Sequence, residues 1–119
     1  MAWHIAACAH QVSEGEVMGL IVADQPVALY RINGEIFASH NICTHAHACL
    51  SDGYLEEGVI ECPLHQARYE VRTGKVLSGP TRVTLPVYAV QLDGDNVLVD
   101  LPAELGTTEV ASETQSDRA

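Results

Sequence analysis

A chain of 119 residues with 47% hydrophobic content suits a single globular domain, able to bury about 65% of the surface its unfolded chain exposes. Sixteen acids against six Lys and Arg give a formal net charge of −10, which excludes the basic footprint of a nucleic-acid binder and fits either a basic partner or plain solubility. No apolar run reaches the ~18 residues of a membrane span, and the opening "MAWHIAACAH" lacks the features of a signal peptide, so a cytoplasmic protein without a membrane segment is expected.

Strand signals dominate from the start. "WHIAAC" (3–8) reads as a first strand, and "VMGLIVA" (17–23) as a strand buried on both faces. "VALYRI" (27–32) and "EIFASH" (35–40) flank Asn33-Gly34. That dipeptide is a strong hairpin signal because both positions accept positive φ. Residues 41–81 then change texture and hold the clustered Cys and His with many turn residues. They read as a loop-rich insertion, with "GYL" (53–55), "VIEC" (59–62) and "RYEV" (68–71) as small strands. Such a segment needs something to tie it together, and a metal centre would do so. "VYAVQL" (87–92) and "NVLVDL" (96–101) flank Asp93-Gly94-Asp95, a second hairpin. No long helical period appears, so the expected class is all-β, an antiparallel sandwich or barrel. The tail, 103–119, is polar with four acids and one Arg. It has too few large apolar groups to offset its ordering entropy, so a mobile tail is expected.

Three of the four cysteines and three of the six histidines fall in residues 43–65. In a reducing compartment such clustering favours metal binding over disulfides. The pattern is Cys43-x-His45, sixteen residues, then Cys62-x-x-His65. Structural zinc accepts two thiolates and two imidazoles, but zinc fingers usually pair like with like on each knuckle. A Cys–His nucleophile pair leaves the duplication unexplained. A [2Fe–2S] cluster with two cysteines on one iron and two histidines on the other accounts for one ligand of each kind per loop.

The stretch "CTHAHACLSDGYLEEGVIECPLHQARYEVRTGKVLSGP" resembles a Rieske iron–sulfur domain. "CTH", "LSDG", "ECPLH", "TG" and the later "GP" fall in family order and spacing. Residues 1–102 resemble the small Rieske ferredoxins of bacterial aromatic ring-hydroxylating dioxygenase systems, naphthalene type; the tail lies outside the resemblance. The resemblance implies one Rieske-type [2Fe–2S] cluster, with Cys43 and Cys62 on the inner iron and His45 and His65 on the outer. It implies a Rieske fold of two antiparallel sheets plus a cluster-binding subdomain over about 41–81, with Pro80, after Gly79, covering the cluster.

Replacing two thiolates by neutral imidazoles eases reduction, so such centres span about −150 to +300 mV against about −400 mV for all-cysteine ferredoxins. High-potential members carry a disulfide between the ligand loops. Here the corresponding positions are Leu64 and Ala48, with Cys49 one place off, so no disulfide is expected. The serine that contacts a sulfide in those members is Ala67 here. Both departures point to a low potential. Tyr69 stands where dioxygenase ferredoxins usually have Phe; its hydroxyl is positioned by the resemblance to donate to a cysteine sulfur and raise the potential slightly.

Other residues have plainer readings. His47 reads as an exposed loop histidine, although its place beside His45 suits a substitute ligand. Cys8 and Cys49 read as small buried side chains, Trp3 as core or sheet packing, and Arg68 as a solvated strand residue. Gln66 follows His65 where many Rieske domains have Gly and the naphthalene-type ferredoxins have Gln. His4, His10 and His40 form no motif.

The expected function is one-electron transfer from an NAD(P)H-dependent flavoprotein reductase to the Rieske centre of a terminal oxygenase, by a monomer that is not itself an enzyme. A catalytic oxygenase subunit needs a further domain with a 2-His-1-carboxylate iron, for which the chain has no room. The alternatives are a Rieske-like small subunit of the nitrite reductase type and a zinc-binding module.

Overall fold

The computed structural model describes residues 2–43, 48–64, 66–79 and 83–102. The expectations for the tail, His45, His47, His65 and Pro80 therefore lie outside the described residues.

Among the described residues, eleven strands make up the architecture: β1 (Ala2–Cys8), β2 (Val17–Val22), β3 (Gln25–Ile32), β4 (Glu35–His40), β5 (Tyr54–Glu56), β6 (Val59–Glu61), β7 (Arg68–Glu70), β8 (Val76–Ser78), β9 (Val87–Tyr88), β10 (Val90–Asp93) and β11 (Asn96–Leu101). They form three sheets, ordered β1-β11-β10, β2-β3-β4-β9 and β5-β6-β7-β8, and neighbouring strands run antiparallel. The first two sheets are the expected base. The third is the insertion, which also contains β8, a strand that the sequence pattern does not announce.

The β3–β4 hairpin turns at Asn33 (φ 54°) and Gly34 (φ 83°) as expected. The Glu14 carboxylate accepts both of their amide N–H groups at 2.7 Å. The β2–β3 turn uses the same left-handed backbone at Ala23 (φ 50°) and Asp24 (φ 66°).

The strand buried on both faces is β3, not the expected 17–23 segment. On one side Val27 and Leu29 join Ile36, Ala38, Val97, Val99 and Leu101 in the core between the base sheets. On the other, Ala28, Tyr30 and Ile32 pack with Leu50, Ile60, Tyr69 and the cysteines 43 and 62. Among the described residues β2 is an edge strand that pairs only with β3, and its apolar run leaves Ile21 68% exposed. Strand order, rather than hydrophobicity, decides which run is covered.

The 87–92 run divides at Ala89. Val87 and Tyr88 pair with β4, whereas Val90–Asp93 pairs with β11, so one segment joins both base sheets at a corner. Trp3 lies on β1 opposite Asp100 and is 47% exposed. It stands on the outer face of its sheet, since Val97, Val99 and Leu101 take the inner one; of the two expected readings, core or sheet packing, the core one does not occur. Cys8 and Cys49 are half-buried rather than buried.

Candidate metal centre

Two loops carry the ligand motif, and each is closed in the same way. The first leaves β4 after His40, and the Cys43 N–H donates to the Ala48 carbonyl at 2.9 Å. The second joins β6 to β7, and the Cys62 N–H donates to the Ala67 carbonyl at 2.8 Å. A cysteine thus opens each loop and bonds across it to an alanine five positions on. His45 lies within the first loop and His65 within the second, both outside the described residues. The structure therefore brings Cys43 and Cys62 together, and the pairing of the two loops is carried by them.

Both cysteines are buried, and their thiols are hydrogen-bonding neighbours. Burial pushes the Cys62 thiol up to about 11; the Leu64 backbone N–H opposes this by donating to the sulfur, and the Cys43 thiol adds to the rise. The Cys62 thiol, buried beside that of Cys43, therefore keeps its proton when no cation is near. A metal centre replaces that proton with its own charge, which suits thiolate ligation in this setting.

Each sulfur also faces a donor suited to a thiolate. The Tyr69 hydroxyl lies 3.4 Å from Cys43 Sγ, and the Leu64 N–H serves Cys62. Tyr69 is fully buried on β7, so its hydroxyl is aimed by the small sheet. This is the contact expected from its place in the sequence. The donor set, two facing thiols with a hydrogen bond to each, fits a cluster held by cysteine on its buried side.

Neighbouring residues define the edges of the site. Gly79 (φ 110°) lies so close to Ala67 that a Cβ would come within 2.6 Å of the Ala67 Cα. Gly79 is thus seated against the second ligand loop. Ala67 is fully buried and Leu64 is 47% exposed. Gln66 takes φ 59°, a left-handed conformation that glycine adopts more readily than an L-residue with a side chain. Arg68 is half-exposed on β7 and lies 3.8 Å from Glu61, which matches its solvated reading. Cys49 is a free thiol.

Sequence reasoning passed over the polar residues that hold the first loop in place. Asn41 and Ser51 bond to each other beneath it. Their ten-residue separation gives no periodic signal, although Ser51 belongs to the "LSDG" stretch already noted.

Residues 2–89 match the Rieske [2Fe-2S] domain family. The ferredoxin component of a naphthalene 1,2-dioxygenase system from Pseudomonas aeruginosa is 43% identical over 99 residues, covering 83% of this chain and 95% of that one. The ferredoxin of carbazole 1,9a-dioxygenase from Nocardioides aromaticivorans IC177 superposes with a TM-score of 0.76 at 34% identity, covering 80% of this chain and 93% of that one. A solved complex of reduced oxygenase and oxidized ferredoxin in carbazole 1,9a-dioxygenase contains a chain that matches with a TM-score of 0.75 at 35% identity, covering 82% of this chain and 91% of that one.

Proposed function

This chain belongs to the Rieske [2Fe–2S] domain family, and from that premise we propose that it is the ferredoxin of an aromatic ring-hydroxylating dioxygenase system. It carries electrons singly to a terminal oxygenase and catalyses no reaction of its own. Cys43 and Cys62 hold the inner iron of one Rieske-type cluster, and His45 and His65 hold the outer. The observation that carries the reading is the pair of matched loops, each opened by a buried cysteine and closed by the same backbone bond.

When bound, the cluster supplies a site that accepts and releases one electron. The chain's own residues set the terms of that exchange. Cys43 and Cys62 give up their protons on ligation, and burial keeps water from the sulfurs. Tyr69 and the Leu64 amide donate hydrogen bonds to those sulfurs, which favours the more negative reduced state. Ala67 offers no hydroxyl, so that source of a higher potential is missing. The balance is a potential low in the Rieske range.

The electron donor is a flavoprotein reductase that uses NAD(P)H. The chain acts as a monomer in the cytoplasm, with its Rieske domain ending near residue 102. Among the described residues no helix is long and apolar enough to cross a membrane. Docking is brief, because a carrier must leave each partner quickly.

The test uses chemically reduced, anaerobic protein with a terminal oxygenase and its aromatic substrate, and no reductase. The reading predicts reoxidation of the carrier coupled to a single turnover of hydroxylated product. A carrier that stays reduced in the presence of several such oxygenases contradicts it. Loss of the mixed-ligand spectrum in His65→Ala, with zinc absent from the wild type, supports the ligand set.

A further inference from the structure

The first ligand loop is rooted on one buried amide. Asn41 is 5% exposed, one of three buried polar residues among those described. Its Oδ1 accepts the Ser51 N–H at 2.9 Å, and its Nδ2 donates to Ser51 Oγ at 3.1 Å. The amide has one possible orientation, because a backbone N–H only donates and so requires the oxygen. The main chain of Asn41 is engaged too. Its N–H donates to the Pro26 carbonyl of β3 at 3.1 Å, and its carbonyl accepts the Leu50 N–H at 2.6 Å. One residue therefore ties the outgoing limb of the loop to the base sheet and to the returning limb.

β2 leaves room for this arrangement. A Cβ at Gly19 would collide with Ser51 Oγ and stand 2.7 Å from Asn41 Nδ2. Beyond the amide the loop continues as a narrow ladder. Ile42 pairs with Cys49, and the Cys43 N–H reaches Ala48. Cys43 lies two residues beyond Asn41, with its sulfur 3.4 Å from the Tyr69 hydroxyl.

We propose that Asn41 is a positioning residue of the redox centre: its paired bonds to Ser51 root the Cys43 loop and hold the Cys43 sulfur within reach of the Tyr69 hydroxyl. This rests on the reading of Cys43 as a cluster ligand. Buried polar pairs fix geometry because leaving one member unpartnered is costly. The Tyr69 bond then turns that geometry into a measurable potential, since a donor to a ligand sulfur favours the reduced state.

The experiment is a cycle of midpoint potentials on wild type, Asn41→Ala, Tyr69→Phe and the double variant. Asn41→Ala is expected to lower the midpoint, and the double variant to fall no lower than Tyr69→Phe alone. An unchanged midpoint in Asn41→Ala overturns the proposal. So does an equal shift in both backgrounds, which would mark a structural effect independent of Tyr69. If Asn41→Ala does not retain the cluster, Ser51→Ala enters the same cycle, with a smaller shift expected. Amide hydrogen exchange on the cluster-loaded protein reads the root directly. Faster exchange at the Leu50 and Cys43 N–H groups in Asn41→Ala, with Cys62 unchanged, is expected; unchanged protection at both overturns the proposal. A wild-type protein lacking the Rieske spectrum would instead remove the ligand reading itself, so the two failures are distinct.

Discussion

The Tyr69 hydroxyl is the polar group that most directly links one side chain to the electron. It sits 3.4 Å from Cys43 Sγ in a dry environment, where a hydrogen bond to developing negative charge is strengthened. Tyr69→Phe is expected to lower the midpoint while leaving the cluster in place, as redox titration would show. Gln66 makes a separate point. Its φ of 59° costs an L-residue roughly 1–2 kcal/mol, of which glycine's greater unfolded-state entropy offsets about half. Gln66→Gly is therefore expected to raise stability by about 0.5 kcal/mol in denaturant unfolding. His40 supplies a pH dependence. Burial lowers its pKa, and its Nδ1 lies 3.4 Å from the Tyr88 hydroxyl, which suits a neutral ring accepting a hydrogen bond. The unfolded chain, with an ordinary pKa of about 6.5, binds the proton first as pH falls. The contribution of His40 to stability is thus complete above about pH 7 and is lost as pH drops through 6.5 towards the folded value. Melting temperatures at pH 7.5 and 5.5 should converge more closely in His40→Gln than in wild type.

At the scale of elements, the second ligand loop depends on the close approach of Gly79. A Cβ at Gly79 would meet the Ala67 backbone, which cannot move without shifting the loop that Cys62 opens. Gly79→Ala is expected to cost more than about 2 kcal/mol, as an overpacked contact with unfavourable φ. It should also speed the decay of the cluster's visible absorption at a fixed temperature. The elements differ in how plainly the sequence announces them. Asn33-Gly34 marks one hairpin because both residues tolerate positive φ, while Ala23-Asp24 adopts such a turn without glycine and gives no warning. The division of 87–92 at Ala89 is invisible along the chain, because it depends on which sheet each half meets. The same holds for β2 and β3, whose apolar runs look alike but occupy an edge and a centre. The approach of Cys43 to Cys62 was legible because ligand chemistry restricts their spacing tightly. The Asn41–Ser51 pair was not, since two polar residues ten apart meet only once the loop has its shape.

Over the whole molecule, the net charge of −10 governs encounter rather than fold. An acidic carrier meets a partner with a basic docking face faster at low salt, and screening beyond about 10 Å at 0.1 M removes the advantage. The second-order rate of electron delivery to the oxygenase is expected to fall about tenfold or more from low to high ionic strength, with little change in midpoint potential. A rate indifferent to salt would place the docking energy in apolar contact instead. The electron-carrying role rests on one cluster bound by two cysteines and two histidines. The most direct measurement is an EPR spectrum of the dithionite-reduced protein, taken with iron, sulfide and zinc analysis of the same sample. The expected result is a rhombic signal with the low average g-value of mixed cysteine and histidine ligation, with two irons and two sulfides per chain for the [2Fe–2S] centre. A silent sample containing zinc, or the higher average g-value of an all-cysteine cluster, would contradict the assignment of Cys43, His45, Cys62 and His65.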